Sequence, residues 1–411
     1  MIKNYKQPLS YSSEIKNYAV ICRQKANSKF KEDSKVNIMA VLIKEIISGA
    51  DLREFVKFPD RLYAKEKNYI PALHRNQVAV LDRGKNPAFE YCEARYWMAY
   101  RNNRPVGRIA AIINHRYNSE RNLKLMRFGW LDFINDTEVL NGLLMKVEIW
   151  AAEMGLTQVH GPLGFVSFDA SGVLVEGFDE LPTSFGRYNF PYYGPMLESA
   201  GYQKEVDWVE YNIKVPADLP QKLIQAAGLV KQRYMVRQAP LNSVKDVKCY
   251  AMPVFGMINS SYGDLFGFNA LSDRQIAQLA DSYFSLLHPD FISIVLNQAD
   301  EPVGFGLVMP SLAKALRKSG GKLFPFGFLR ILWALRFNDT ADMLLIGVRP
   351  DYQNKGIHAL LFEKIFTTMK RRGIKQVETT RELESNIKVQ QLWAGYETRQ
   401  HKRARCYFKT L

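Results

Sequence analysis

The stretch LLIGVRPDYQNKGIHALLFEKIFTTM, residues 344–369, predicts a buried strand that a polar loop joins to a helix. The apolar run at 344–346 has the length of a strand, and Pro350 lacks the N–H that a central strand donates, so the strand ends near it. From Ile357 onwards apolar residues recur at helical spacing, and Gly373 follows a basic last turn. A strand, a loop and a helix are therefore predicted in this order.

The loop between this strand and this helix has the features of an anion site. Gln353, Asn354, Lys355 and Gly356 lead into the helix N-terminus, where unpaired N–H groups and the positive end of the dipole favour an anion. Gly356 has no side chain, so the backbone can approach such a group closely. We expect a phosphate group at this junction.

The strand, Pro350, the loop at 353–358 and the helix resemble the Q/R-x-x-G-x-G/A pyrophosphate loop of the GNAT acyl-CoA N-acyltransferases. Later residues are similar to the asparagine, the Leu-Tyr pair and the Gly-Phe pair of that family: Asn386, Leu392, Trp393, Gly395 and Tyr396. The resemblance covers roughly residues 249–411. It implies an α/β (α+β) fold with a mixed β-sheet flanked by helices.

Three features depart from the family pattern. His358 stands where the family has Gly or Ala, which keeps the N–H donor and adds bulk. Trp393 stands where many members have the tyrosine that protonates the departing thiolate, and an indole cannot do so. Two residues are also missing between Trp393 and Gly395.

The resemblance implies acetyl-CoA or another acyl-CoA as the cofactor, and direct attack of an amine on the thioester, catalysed mainly by holding the two close together. It assigns the cofactor to backbone groups of the strand, to the loop and to the late asparagine: Ile346, Val348, Gln353, Asn354, Lys355, Gly356, Ile357, His358 and Asn386. The amine acceptor is not identified by any motif.

Proton transfer needs further residues, because an amine is protonated at neutral pH. Glu378, after the helix and the next strand, is the first candidate base, and Asp342 and Glu382 are alternatives. Salt bridges to the surrounding arginines are the alternative role for all three. Tyr396, Tyr407 or water could protonate the thiolate.

An internal repeat is indicated by two stretches that align without a gap. LLMKVEIWAAEMGLTQVH at 143–160 lies over LFEKIFTTMKRRGIKQVE at 361–378. In the first copy the loop at 135–138 is acidic and places Glu138 opposite Gly356, so it should repel a pyrophosphate. We interpret the first copy as a degenerate GNAT-like unit; chance agreement of two amphipathic helix–strand units is the alternative.

The predicted domain organisation follows from this repeat. Pro216 and Pro220 interrupt both the strand and the helix period. Four segments are predicted: a flexible basic arm at 1–38, a degenerate GNAT-like domain at 39–215, a linker at 216–228, and the GNAT domain with the acyl-CoA loop at 229–411. The two domains are expected to carry one mixed β-sheet each.

Composition and charge limit the class of protein. Of 411 residues, 47% are apolar, which suits a folded globular chain. The four cysteines lie far apart, which argues against structural zinc and disulfides, so we expect no metal site and a cytoplasmic location. No apolar run is long enough to span a bilayer. The net charge of +15 favours polyanionic partners, although no motif supports nucleic acid.

The segment at 311–337 is rich in apolar and aromatic residues and includes LFPFGFLRILWALRF. It could cover the second sheet, lie in a membrane interface with its lysines and arginines near lipid headgroups, or line a tunnel for a long acyl chain. The basic C-terminal strand, with Arg399, His401, Lys402, Arg403 and Arg405, could be a solvated face or an anchor for the 3′-phosphate of CoA or an anionic lipid.

Three hypotheses about function remain open at this point. The first is a CoA-dependent N-acyltransferase that uses the C-terminal domain. The second is a long-chain acyltransferase that acts on a lipid-like amine at the membrane surface. The third is a non-catalytic protein that binds CoA or lipid.

Overall fold

One mixed β-sheet runs through the part of the chain that the computed structural model describes, residues 40–283 and 287–411. The predicted arm at 1–38 lies outside the described residues. The strands are β1 Leu42–Glu45, β2 Cys92–Arg101, β3 Arg104–Asn114, β4 Leu125–Phe133, β5 Gln158–Gly161, β6 Val173–Glu176, β7 Gln203–Lys214, β8 Arg237–Gln238, β9 Ile292–Leu296, β10 Pro302–Pro310, β11 Thr340–Val348, β12 Gln376–Thr379, β13 Glu382–Leu383 and β14 Thr398–Thr410.

Helices lie between most of these strands. They are α1 Gly49–Leu62, α2 His74–Leu81, α3 His115–Arg121, α4 Thr137–Glu153, α5 Tyr193–Ser199, α6 Gln221–Tyr234, α7 Val244–Cys249, α8 Ala251–Ser261, α9 Asp273–Tyr283, α10 Ala313–Ser319, α11 Gly327–Arg336, α12 Ile357–Arg372 and α13 Ile387–Gln390. Among the described residues no helix is both long enough and apolar enough to cross a membrane.

The strand order along the sheet is β1-β2-β3-β4-β5-β14-β7-β12-β11-β10-β9-β8, with β6 beside β14 and β13 beside β7. β4 runs parallel to β5 and β11 runs parallel to β12. The other pairs are antiparallel. Each parallel pair is joined by a helix, α4 or α12, since parallel strands need a crossover. The predicted fold class, a mixed sheet flanked by helices, is confirmed.

The two copies of the repeat form the same unit of strand, helix and parallel strand. Helix α4 connects β4 to β5, and α12 connects β11 to β12. Both helices are followed by a glycine in the left-handed region, Gly155 at φ +67° and Gly373 at φ +73°. α4 buries Val139, Leu143 and Val147 against the sheet, and α12 buries its apolar face in the same way.

The two sequence halves share one sheet because they exchange their last strands. β14, at the C-terminus, lies between β5 and β7 and pairs Phe408 with His160. β7 of the first half pairs with β12 of the second, with Val377 opposite Ile213. The sheets of the two units are thus joined into one continuous sheet. Local patterns identify strands, but pairing between distant segments depends on packing that no local pattern contains.

The prediction of a linker at 216–228 is wrong, because helix α6 occupies residues 221–234. Pro220 stands at its N-cap, a position where a missing N–H has no cost to the helix, so the proline marks a helix start and not a linker. Ala227 and Val230 of α6 pack against Ile357 and Leu360 of α12. The helix is therefore part of the core of the second half.

Candidate functional site

Strands β11 and β12 pair over a short distance and then separate. Their parallel ladder ends where Met343 lies opposite Thr379. β11 continues to Val348 along β10, and the N–H of Arg349 donates to the carbonyl of Val303 (3.0 Å). Along an antiparallel ladder, residues that hydrogen-bond to the neighbouring strand alternate with residues that do not. The peptide groups of Ile346 and Val348 therefore face away from β10 and into the gap between β11 and β12.

Two side chains at the end of α8 reach the carbonyls on this edge. The hydroxyl of Tyr262 donates to the carbonyl of Ile346 (2.7 Å), and that of Ser261 donates to the carbonyl of Val348 (3.3 Å). Burial raises the pKa of Tyr262. The backbone groups that the sequence analysis assigned to the cofactor therefore face the gap, with their carbonyls bonded to side chains of this chain.

A cavity of about 420 Å³ lies at this gap. One side is the loop after β5, with Leu163 and Phe168, and the other is α8 and the turn after it, with Phe255 and Tyr262. The remaining wall comes from the separating strands, with Leu344, Ile346, Thr380, Arg381 and Glu382. Asn386 also lines it, and the lining is mostly apolar and aromatic. Residues of both sequence halves thus build one site.

Three carboxylates line the cavity, those of Asp169, Glu210 and Glu382, and Glu382 follows the separated end of β12. Burial raises its pKa to about 7. Its Oε1 accepts the indole N–H of Trp393 (3.0 Å), while its Oε2 is buried and has no hydrogen-bond partner among the described residues. Trp393, which replaces the family's tyrosine, therefore holds a carboxylate in the cavity wall.

Glu378 and Asp342 lie close to this site but do not line the cavity. Burial raises the pKa of Glu378 to about 7, and Lys402 opposes this effect. Asp342, opposite Glu378 on β11, is fully buried and accepts the backbone N–H and the hydroxyl of Ser184. Asp342 therefore has a structural partner, and Glu378 is half-buried and accepts the amide N–H of Asn212 (3.4 Å).

The two tyrosines predicted as acids lie elsewhere. Tyr396 packs on Phe366, with ring centroids 4.9 Å apart, and burial raises its pKa to about 12. Tyr407 is fully buried in the core of the first half and donates to Glu198 (3.1 Å). Neither lines the cavity, whereas Tyr262 does. No spacing in the sequence linked Tyr262 to the site, because Tyr262 and Ile346 lie 84 positions apart.

The predicted pyrophosphate loop leads into α12 as expected. Gly356 is the N-cap, at φ +75°, and a Cβ there would lie 3.0 Å from Val230. The N–H groups of Ile357 and His358 have no acceptor within the helix, whereas that of Ala359 donates to the carbonyl of Gly356 (2.9 Å). Burial lowers the pKa of His358, which favours the neutral ring.

The other loop side chains stay near the same strand end. The amide of Gln353 donates to the carbonyl of Val348 (3.4 Å), and Asn354 has φ +61°. Lys355 places its ammonium 4.7 Å from the ring centroid of Tyr352. Asn386 caps α13 by accepting the N–H of Val389 (3.4 Å), in addition to lining the cavity.

The matching helix start in the first half is already filled by a carboxylate. Asp136 caps α4 by accepting the N–H groups of Glu138 (3.0 Å) and Val139 (3.3 Å). The guanidinium of Arg101 pairs with both acidic side chains. The anion site of this copy is thus occupied by the protein itself.

The basic C-terminal strand is largely neutralised by carboxylates. Arg399 pairs with Glu180 (2.7 Å), and Arg405 pairs with Asp207 (2.8 Å). Lys402 is buried within 3.8 Å of Glu210. The reason is the position of β14 in the middle of the sheet, so this strand is not an open basic face.

Three possible metal ligands meet in the sheet although their spacing gave no sign of it. His160 Nδ1 lies 3.0 Å from Glu205 Oε2, and the thiol of Cys406 donates to the same oxygen (3.5 Å). These contacts form a hydrogen-bonded chain, and the buried guanidinium of Arg127 acts electrostatically on both His160 and Cys406. A nearby cation disfavours a second one, so we assign no metal to this group.

Comparison with known proteins gives two curated relatives, while no family model matches the chain. "Protein YghO" of Escherichia coli is 27% identical over 387 residues, covering 90% of this chain and 95% of the relative. "Bacterial ceramide synthase" of Caulobacter vibrioides is 29% identical over 314 residues, covering 74% of this chain and 79% of the relative.

Solved structures share the architecture at low identity. A tandem GNAT protein from the clavulanic acid biosynthesis pathway matches with a TM-score of 0.51 and 14% identity, over 90% of this chain and 98% of that one. A GCN5-related N-acetyltransferase from Sphaerobacter thermophilus matches with a TM-score of 0.50 and 11% identity, over 90% and 95%. Likeness at this level concerns the fold.

Proposed function

From the tandem GNAT fold of this chain, we propose that it is a CoA-dependent N-acyltransferase whose second half binds the acyl donor. The observation that carries the proposal is the cavity beside β11. Three features of an acyl-CoA site meet along this strand. Its separated edge carries Ile346, its C-terminal end leads to the loop before Gly356, and Glu382 faces the same cavity. An anion site, a peptide edge and a titratable carboxylate thus belong to one site.

The chain fits an acyl-CoA donor at named groups. The free N–H groups at the start of α12 suit a pyrophosphate, since Gly356 leaves room for it. The edge peptide groups of Ile346 and Val348 suit the amides of pantetheine, provided that Tyr262 and Ser261 release the carbonyls they now hold. When bound, acyl-CoA supplies the activated thioester.

Proton transfer in this proposal uses Glu382. Its Oε2 makes no hydrogen bond among the described residues, so it can accept a proton from an amine that enters the cavity beside it, and a pKa of about 7 lets it act near neutral pH. Trp393 holds Oε1 and so positions the carboxylate. The hydroxyl of Tyr262, at the same edge, replaces Tyr396 and Tyr407 as the group that can donate a proton to the leaving thiolate.

A second, narrower candidate is a long-chain acyltransferase for a lipid-like amine. The apolar and aromatic lining of the cavity favours it, because an acetyl group needs little apolar space. The relative named bacterial ceramide synthase supports the same class of reaction. A long acyl chain would lie against Phe168, Phe255 and Phe266.

Calorimetric titration of the full chain with acetyl-CoA and with palmitoyl-CoA, followed by a product assay with a long-chain amine, tests these proposals. Binding of either donor with acyl transfer supports the N-acyltransferase, and tighter binding of palmitoyl-CoA selects the long-chain reaction. Binding without transfer to any amine favours the non-catalytic alternative. Absence of binding to both donors refutes the assignment.

A further inference from the structure

Helix α11 and the loop before it present their large apolar side chains to solvent. The exposed side chains, here called the aromatic surface, are Phe324, Phe326, Phe328, Leu329, Leu332, Trp333 and Phe337. Trp333 is 67% exposed and Phe324 is 76% exposed. The buried residues of α11 are smaller or on the opposite side, namely Gly327, Ile331 and Ala334. The helix therefore carries its largest apolar side chains on its outer face.

Internal packing, the first interpretation of this segment, explains only its inner face. Ile331 packs with Leu312 and Leu316 in an apolar cluster under the helix. On the outer face the rings contact each other, with centroids of Trp333 and Phe337 4.6 Å apart. An exposed apolar surface of this kind on a folded protein marks a place where something binds.

The charged residues of the segment that carries the aromatic surface are all basic. Residues 311–337 contain six lysines and arginines and no aspartate or glutamate. Those next to the exposed rings are Lys318, Lys322, Arg330 and Arg336, all exposed. None of these four forms an ion pair with a residue of the described ranges. The surface is thus apolar in its centre and cationic at its rim.

We propose that the aromatic surface docks on a lipid bilayer that carries anionic headgroups. Apolar rings on a short helix with flanking cations suit the boundary between headgroups and acyl chains. The ten residues of α11 span about 15 Å, half the apolar thickness of a bilayer, so the helix lies in the interface and does not cross it.

A second copy of the chain fits this surface less well. A two-fold interface places the same patch of each subunit against the other, so the cations at the rim would face each other. The net charge of +15 adds to that repulsion, whereas it attracts the chain to an anionic membrane. Charge complementarity therefore selects the lipid surface.

The aromatic surface and the cavity lie on two sides of one wall. Ile331 of α11 belongs to the same apolar cluster as Met309 and Leu344, and both of these line the cavity. A long-chain donor or a lipid-like amine in the bilayer would therefore have a short path to the site. This delivery role rests on the proposed function, while docking itself does not.

Flotation of the full chain with lipid vesicles tests docking. The chain should float with vesicles of equimolar phosphatidylcholine and phosphatidylglycerol and stay at the bottom with phosphatidylcholine alone. The triple variant L329E/L332E/W333E should lose at least about tenfold in bound fraction. The control M145E/I149E, on the exposed face of α4, should float like the unmodified chain.

A second variant separates the charge contribution from the apolar one. K318E/K322E should weaken binding roughly fivefold for each cation removed, and added salt should reduce the difference. Failure of the unmodified chain to float with the anionic vesicles overturns the proposal. So does a dimer in sedimentation velocity that the triple variant dissociates, because it assigns the surface to a second copy. Calorimetry with acyl-CoA in the absence of vesicles reports on the proposed function separately.

Discussion

Trp393 donates its indole N–H to Oε1 of Glu382 across 3.0 Å, at the wall of the cavity between the two sequence halves. A tryptophan at this place cannot act as an acid, and the sequence by itself left a non-catalytic role open. The contact changes that interpretation. Trp393 orients a half-buried carboxylate whose pKa is raised to about 7 by burial and whose Oε2 has no hydrogen-bond partner among the described residues.

Glu382→Gln should lower the rate of acyl transfer by about 10²–10⁴-fold if Glu382 is the base. The carboxylate form accepts the proton, so kcat/KM of the unmodified chain should rise as pH passes through about 7 and level off above it. In the variant, kcat/KM should no longer rise as pH passes through this range. Glu397→Gln, an exposed carboxylate paired with Lys214, serves as the control. Activity within threefold of the unmodified chain at every pH would assign the base elsewhere.

Trp393→Phe should shift the rise of kcat/KM with pH to higher pH. The indole N–H stabilises the charged carboxylate and lowers the pKa of Glu382, so its removal should raise that pKa by roughly one unit. Phenylalanine keeps a ring against Phe362, now 5.3 Å away between centroids. The pH profile of kcat/KM measures the shift, and an unchanged midpoint would show that the hydrogen bond has no influence on catalysis.

Gly356→Glu should abolish acyl-CoA binding. The position has φ +75°, a Cβ would lie 3.0 Å from Val230, and the new charge would repel a pyrophosphate. Gly228→Glu adds the same charge in α6, where a Cβ meets no atom within 4 Å, and should bind as before. Calorimetric titration compares the two. Unchanged affinity of the Gly356 variant would remove the loop from the site.

Tyr262→Phe should separate binding from turnover. Loss of the hydroxyl frees the carbonyl of Ile346, so acyl-CoA affinity should increase by up to about fivefold. The same loss removes the proposed proton donor, so kcat should fall. Ser260→Ala, which loses a hydroxyl bound to the carbonyl of Met257 within its own helix, is the control. A kcat equal to that of the unmodified chain would assign the donor role to water.

Glu378→Gln should stabilise the chain at alkaline pH. Burial raises the pKa of Glu378 from 4.5 to about 7, so its contribution to folding is full below pH 4.5 and is lost as pH rises through 7. The shift corresponds to at most about 3 kcal/mol in the free energy of unfolding. Urea unfolding should show the variant more stable at pH 8 and equal at pH 4. A gain of the same size at both values would contradict this origin.

Several features of this protein follow from sequence patterns that act over short distances. The strand, loop and helix at 344–372 depend on Pro350, on Gly356 at positive φ and on helical spacing. The hairpin turn depends on Asn102 and Asn103, which both have positive φ. Helical spacing also makes the repeat of α4 in α12 visible. The acidic loop at 135–138 is also visible in the sequence, and the structure adds that Asp136 of this loop caps helix α4.

Only the tertiary structure decided which residues meet at the cavity. Glu378 and Glu382 lie four positions apart and both follow α12, yet the turn after β12 brings Glu382 alone of the two to the cavity wall. Tyr262 and Ile346 meet across 84 positions, and β14 enters between β5 and β7 from the far end of the chain. These contacts depend on packing between segments that are far apart in the chain, and a local sequence pattern holds no information about that packing. Helix caps, turns and helical spacing, in contrast, are determined by neighbouring residues.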